Sequence, residues 1–414
     1  MIRTRRIALG ALATATVLLA AGCGSSIGGG GTGTQSTANR TVTIGVLADL
    51  TGPAASGSKT FVDGVKAGTY LASRNGYTIK IVVADTATNP TTALTAAQKL
   101  VTRDHVLAVL AQSALLLTTS NYLTAHNVPV IGGASDGPEW TTSKNMFGVT
   151  GALQQTKVAT TFGKLLGQLG VTNLAALGYG ASPVSSESAS SSALSAQVSG
   201  VKAGYLNAKF PFGSTDVGPE VLAMKAAGID GIYPAVDPST AFSLIKGLRD
   251  QGVSLKAAFL PTGYGGDLLQ AGPGALNQAE GVYFTLGYEP VEMKTAATKQ
   301  LAADFASAKI TTAPTYASYN GYASVGLLVR ALKAAGATPT QASLISALSN
   351  IHDWDAMGLF GGHKVDINDR TNVVAGPDNC TWVTKLEAGK FTLVKGADPV
   401  CGELVAGKTV SPAT

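Results

Sequence analysis

Residues 133–137 read Gly-Ala-Ser-Asp-Gly and match the G-x-S-x-G spacing of a nucleophile elbow. Ser135 would be the nucleophile, and His352 or His363 could complete the order serine, acid, histidine; the chemistry would be acyl transfer. An elbow serine must open a packed helix at once. The residues that follow, Gly137-Pro138-Glu139-Trp140-Thr141-Thr142, carry no apolar periodicity. A five-residue pattern is easily met in a chain with 50 glycines, so no enzyme is expected. The 4 histidines (His105, His126, His352, His363) lie in no H-E-x-x-H run, and no C-x-x-C pair is present. No metal and no cofactor are expected.

Ser113, Ala134, Ser135 and Asp237 are better suited to holding a molecule than to changing it. Ser113 follows the apolar strand 106–111, and Ala134 and Ser135 follow the strand 128–132. Asp237 follows the strand 228–235 and precedes Pro238, an N-cap and N1 arrangement. The two serines also suit helix N-caps, and capping is compatible with contact to a ligand.

The 3 cysteines divide by position. Residues 1–23 combine Arg3, Arg5 and Arg6 with an apolar run, Ile7–Ala21, shorter than the ~20 residues that span a bilayer. This reads as a signal peptide, residues 1–22. The segment Ala20-Ala21-Gly22-Cys23 resembles the lipobox of bacterial lipoproteins, which implies that Cys23 becomes a lipidated N-terminus in the bilayer; ordinary secretory cleavage is the alternative. Arg5-Arg6 with its neighbours also resembles a twin-arginine signal, so Sec and Tat export both stay open. Residues 23–40, mostly Gly, Ser and Thr, form a flexible tether. Cys380 and Cys401 then remain as an even pair in an oxidising compartment, which suggests a disulfide; two free buried thiols are the other reading.

Composition narrows the classes further. Hydrophobic residues make up 45% and charged residues 13%, too apolar for a disordered chain. The net charge of +5 falls to +2 without the three N-terminal arginines, so no nucleic-acid partner is expected.

Behind the candidate residues lies an alternation of strands and helices. Strand-like runs occur at 42–48, 79–85, 106–111 and 128–133, with helical spacing between them, as at Leu94, Ala97 and Val101. After residue 153 the pattern resumes. Val158, Phe162, Leu165, Leu166 and Leu169 form an amphipathic stripe, and strand-like runs follow at 172–179, 201–205, 228–235, 256–261 and 281–288. Thr340 is placed to cap a helix containing Leu344 and Leu348, and the last 60 or so residues read as loop and strand. Ser182–Ser199 reads as a plain surface helix. The expectation is two α/β lobes with parallel sheets, whose facing strand ends form a cleft.

The order of these pieces resembles the type I periplasmic binding proteins, in the branched-chain amino-acid-binding branch. VTIGVLADLTGPAASGSKTFVDGVKAG (42–68) is similar to the family's first strand, T-G-P turn (Thr51-Gly52-Pro53) and glycine-bearing helix (Gly64). VADTATNPTTALTAAQKLV (83–101) and the stretches 109–141 and 222–252 are similar to later pieces, so the resemblance spans roughly 41–400. It implies a fold of two Rossmann-like lobes joined by crossover strands, closing on a small solute. Lobe one would comprise 41–153 with 287–377, and lobe two 154–286 with 378–414. It implies a monomeric receptor on the outer face of the membrane, delivering solute to an ABC permease. A sensor or scaffold without transport remains the alternative.

The family's site residues carry over to Ser113, Ala134 and Ser135, which would hold a ligand carboxylate through hydroxyl and backbone N–H groups. Asp237 and Tyr264 are the candidates in lobe two, with Tyr179 as a further residue lining the cleft. The chain departs from the family's amino-acid binders in lacking an acid near Gly263-Tyr264 and a tyrosine near Gly57; a ligand ammonium would depend on Asp237, and a carboxylate or amide solute is the alternative.

Overall fold

The computed structural model describes residues 40–134, 137–270 and 274–411. The signal peptide, Cys23, the tether up to residue 39, and Ser135 lie outside the described residues. Arg40, assigned to the tether from sequence, is the first residue of a strand, and its guanidinium donates to the Gly336 carbonyl at 2.9 Å.

The first sheet and its helices comprise β1 (Arg40–Ala48), α1 (Phe61–Arg74), β2 (Tyr77–Asp85), α2 (Pro90–Thr102), β3 (Ala108–Gln112), α3 (Leu117–Ala125), β4 (Val130–Gly132), α4 (Glu139–Thr142) and β5 (Met146–Gly148). Its strand order is β2-β1-β3-β4-β5, and every pair is parallel. β3 is buried throughout, as expected of a parallel strand covered on both faces. α2 starts where Asn89 accepts from the N–H groups of Thr91 and Thr92, both at 3.0 Å, with Pro90 behind it.

The second lobe contains β6 (Lys157–Ala159), α5 (Thr161–Gln168), β7 (Asn173–Tyr179), α6 (Pro183–Val198), β8 (Lys202–Phe210), α7 (Gly218–Ala226), β9 (Gly231–Ala235), α8 (Pro238–Asp250), β10 (Ala257–Leu260), α9 (Asp267–Gln270), α10 (Ala275–Gln278) and β11 (Tyr283–Leu286). The chain then returns to the first lobe as α11 (Ala296–Ser307), α12 (Tyr316–Ala335) and α13 (Gln341–Leu348). It ends on the second with β12 (Cys380–Glu387), β13 (Lys390–Leu393), β14 (Val400–Cys401) and β15 (Leu404–Thr409). The second sheet runs β13-β12-β11-β10-β9-β7-β8; β8 to β11 are parallel, while β12 and β13 are antiparallel. Cys380 and Cys401 are opposite each other between β12 and β14 and form a disulfide. No helix among the described residues is long and apolar enough to cross a membrane.

The return of α11 and α12 is fixed by close packing and one buried charge. A Cβ on Gly64 would lie 1.9 Å from the Ser318 carbonyl oxygen, and one on Gly321 would lie 2.2 Å from that of Phe61. Backbone meets backbone where α1 crosses α12, and only glycine leaves room. Asp304 on α11 is buried and receives Arg74 through two bonds of 2.5 and 2.6 Å, with the Tyr322 hydroxyl at 2.7 Å. Thr340 caps α13 through the Ser343 N–H at 3.1 Å.

α6 differs from the sequence expectation. It is not a plain surface helix: Ser186, Ser191, Ser192 and Ser195 are buried against the second sheet and α5. Its lack of an apolar stripe concealed this, because small serines pack closely and satisfy their hydroxyls locally. Ser191 Oγ, for instance, donates to the Ser188 carbonyl at 3.1 Å.

Candidate ligand-binding site

Three passages of chain link the lobes, near residues 149–156, 287–295 and 370–379. The first and third are tied where the Gln154 N–H donates to the Val373 carbonyl at 2.6 Å, and the Trp354 indole holds the first by donating to the Val149 carbonyl at 3.0 Å. Above them lies a cavity of about 330 Å³. Lobe one lines it with Gln112, Ala114, Ala134 and Asn320, lobe two with Phe162, Tyr179, Tyr233 and Asp237, and the linking passages with Thr150, Gly287, Tyr288 and Ala375.

Each parallel sheet has one point where the strand order reverses, and the carboxyl ends of the strands open a crevice there. In the second sheet that point lies between β7 and β9. β7 ends on Tyr179 and β9 leads to Asp237, so topology brings together residues 58 apart in sequence. The Tyr179 hydroxyl donates to Asp237 Oδ2 and lies 3.0 Å from Thr240 Oγ1. Burial, and then the Asp237 charge, push the Tyr179 hydroxyl well up, so it stays protonated and donates. Asp237 also caps α8, accepting from the N–H groups of Ser239 at 3.0 Å and Thr240 at 3.1 Å. Tyr179, Asp237 and Ala134 all line the cavity.

The corresponding reversal in the first sheet lies between β1 and β3, and the chain itself fills it. Asp49, fully buried just after β1, accepts from Ser113 Oγ at 2.7 Å, from the Ala114 N–H at 2.8 Å and from Thr86 Oγ1. Burial is the largest influence on Asp49 and raises its carboxyl above the usual range against these three donors. Ser113 is buried, does not line the cavity and accepts from the Leu115 N–H at 3.1 Å, capping the turn before α3.

Tyr264 is also buried away from the cavity lining. Its hydroxyl donates to Glu292 at 2.6 Å and its ring packs 4.8 Å from that of Phe391, centroid to centroid.

Sequence reasoning missed several lining groups. Asn320 donates to Gln112 Oε1 at 3.0 Å and accepts from the Tyr288 hydroxyl at 2.9 Å, joining residues from three distant stretches; no local signal marks them. The Ser185, Ser188, Ser192 and Ser195 face was legible as a 3-4-3 helical spacing. Asp49 carried the signal of an acid directly after a strand.

The histidines of the elbow reading lie elsewhere. His352 pairs with Asp366 at 2.8 Å, His363 pairs with Asp378 at 3.0 Å, and neither lines the cavity beside Ala134. His363, Cys380 and Cys401 place ligand-type atoms within 4.8 Å of one another, but the two sulfurs are bonded together and offer no thiolate.

The family model described as periplasmic binding protein matches residues 41–390. No curated protein sequence matches the chain. Among solved structures, a leucine-binding protein from Thermotoga maritima superposes with a TM-score of 0.70 at 17% identity, covering 85% of this chain and 97% of its own. A solute-binding protein of an ABC transporter from Rhodopseudomonas palustris, in complex with 3,4-dihydroxybenzoic acid, gives 0.68 at 19% identity, covering 90% and 98%. A possible leucine/isoleucine/valine-binding protein from Rhodopirellula baltica gives 0.69 at 14% identity, covering 87% and 98%. At these identities the structures speak for the fold alone. The match along most of its length, together with two α/β lobes flanking a lined cleft, establishes that this chain belongs to the periplasmic binding protein family and has the type I fold.

Proposed function

We propose that this protein is an extracytoplasmic receptor that captures a small solute between its lobes and presents it to an ABC permease without altering it. The observation that carries the reading is the cavity itself, walled by residues of both lobes and by the three passages on which the lobes would hinge. The structural neighbours' names, with leucine and a dihydroxybenzoate, support a solute of that size. Ala134, Tyr179 and Asp237 contact it directly in this reading. Ser113 acts through the Asp49 turn, Ser135 adjoins Ala134, and Tyr264 supports the wall from behind. Cys23 carries the lipid that anchors a monomer outside the cytoplasm.

The test is ligand-induced stabilisation and closure. A ligand at 100 times its dissociation constant should add ~2.7 kcal/mol to unfolding and reduce the radius of gyration in scattering. Deletion in the native cell should abolish uptake of that solute, and Cys23→Ser should release the protein from the membrane fraction. A deletion strain that takes up every bound solute normally would remove the transport reading.

A further inference from the structure

The cavity is poor in charge. Among the described residues that line it there is no Lys, Arg or His, and Asp237 is the one carboxylate. Its oxygens are already engaged by Tyr179, Thr240 and the α8 N-terminus, which leaves it a poor partner for a ligand ammonium. A buried carboxylate ligand would need donors in place of water.

Backbone N–H groups at helix N-termini are the usual substitute for a cation. Here each helix start that opens on the cavity has at least one N–H taken by the chain itself. The turn before α3 gives the Ala114 N–H to Asp49 and the Leu115 N–H to Ser113. Ser195 takes the Gly163 N–H of α5 at 3.0 Å, and Ser182 takes the Ser185 N–H of α6 at 3.3 Å. Asp237 caps α8, and Thr315 takes the Ser318 N–H of α12 at 3.0 Å. Two of these caps are carboxylates, which would repel an anion placed at the same N-terminus.

What the cavity offers is hydroxyls, side-chain amides and aromatic faces. Ser185, Ser188, Ser192 and Ser195 line it turn after turn along α6, a span of ~15 Å at 1.5 Å per residue. Ser185 and Ser195 give their protons to the Ala235 and Ala159 carbonyls and keep acceptor capacity, while the Ser188 hydroxyl lies 3.2 Å from that of Tyr233 and can donate or accept. Phe162, Tyr233 and Tyr288 supply the apolar walls.

We infer that the ligand of this cleft is an uncharged, elongated solute, with an aromatic or apolar body and hydroxyl, carbonyl or amide groups along it, lying beside the serine face of α6. The inference rests on the receptor reading above and narrows it: the solute is neither a carboxylate nor an α-amino acid.

The experiment uses the purified mature protein and matched probe sets that share one body and differ only in carboxylate, primary amide or amine. One set is 4-hydroxybenzoate, 4-hydroxybenzamide and 4-hydroxybenzylamine; the others lengthen the body by successive methylenes. Affinity is read by calorimetry and closure by scattering. The expected result is that amides bind at least ~10-fold tighter than their matched acids and amines. Longer amides should gain further, and Ser188→Val should weaken the longer amides by more than it weakens the shortest one. Acids or amines that bind as tightly as their amides, with closure, would overturn the uncharged ligand and leave the receptor reading standing. Failure of every probe and of concentrated native growth medium to bind or close the protein would overturn both.

Discussion

Thr60, which precedes α1 in lobe one, donates its hydroxyl at 2.9 Å to Asp267, the first residue of α9 in lobe two. Thr60 Oγ1 also lies 2.7 Å from Thr315 Oγ1 at the start of α12, so a single buried cluster joins the lobes beside the cleft. A Cβ on Gly265 would lie 2.0 Å from the Pro314 carbonyl oxygen, so the two lobes touch backbone to backbone there.

Burial pushes the Asp267 carboxyl up to about 7 against hydrogen bonds that lower it, from an ordinary value of 3.8. The folded state therefore holds this proton more tightly than the unfolded chain does. Its contribution to stability is complete below the unfolded value and is lost as pH rises through about 7. Thermal melts of wild type and Asp267→Asn, between about pH 4 and 8, should show wild type losing stability relative to the variant as pH rises. Parallel curves would contradict this.

Gly64→Ala should destabilise the protein by ~1–3 kcal/mol, because the added methyl meets the Ser318 carbonyl and α1 must move off α12. Urea titration reads the loss directly. A neutral result would mean that the two helices separate without cost.

Tyr179→Phe removes one donor from Asp237 while keeping the ring. A hydrogen bond to a charged acceptor contributes ~1.5–3 kcal/mol, so stability should fall by about that amount and ligand affinity should fall with it. Unchanged affinity alongside the stability loss would leave Tyr179 as a cap to Asp237 alone.

Ser113→Ala should act on Asp49 first. The buried carboxyl loses one of its three donors, which should cost ~1.5–3 kcal/mol in a melt. Any effect on ligand affinity should be secondary, since Ser113 does not line the cavity. A large affinity loss with full stability would place the serine in direct contact with ligand.

Reduction of Cys380–Cys401, or Ser at both positions, should cost ~3 kcal/mol for a loop of this size, the two residues being 21 apart in sequence. Denaturant melts of oxidised and reduced protein give the difference. The two should coincide if the reduced pair leaves the unfolded chain no less constrained.

The sequence by itself determined the elements. Apolar runs such as 106–111 and 172–179 read as parallel strands because both faces must be covered, and Asn89-Pro90, Asp237-Pro238 and Thr340 mark helix starts through local backbone chemistry. It also placed Ala134, Tyr179 and Asp237 at strand ends, because a switch-point fold gathers those ends together. The tertiary structure decided which of these ends stay open. Whether Ser113 faces a ligand or Asp49 depends on a contact across 64 residues, and whether the α6 serines face water or a cavity depends on what packs over them. Periodicity describes one element at a time, whereas burial and hydrogen-bond partnership belong to pairs of elements that no local spacing reports.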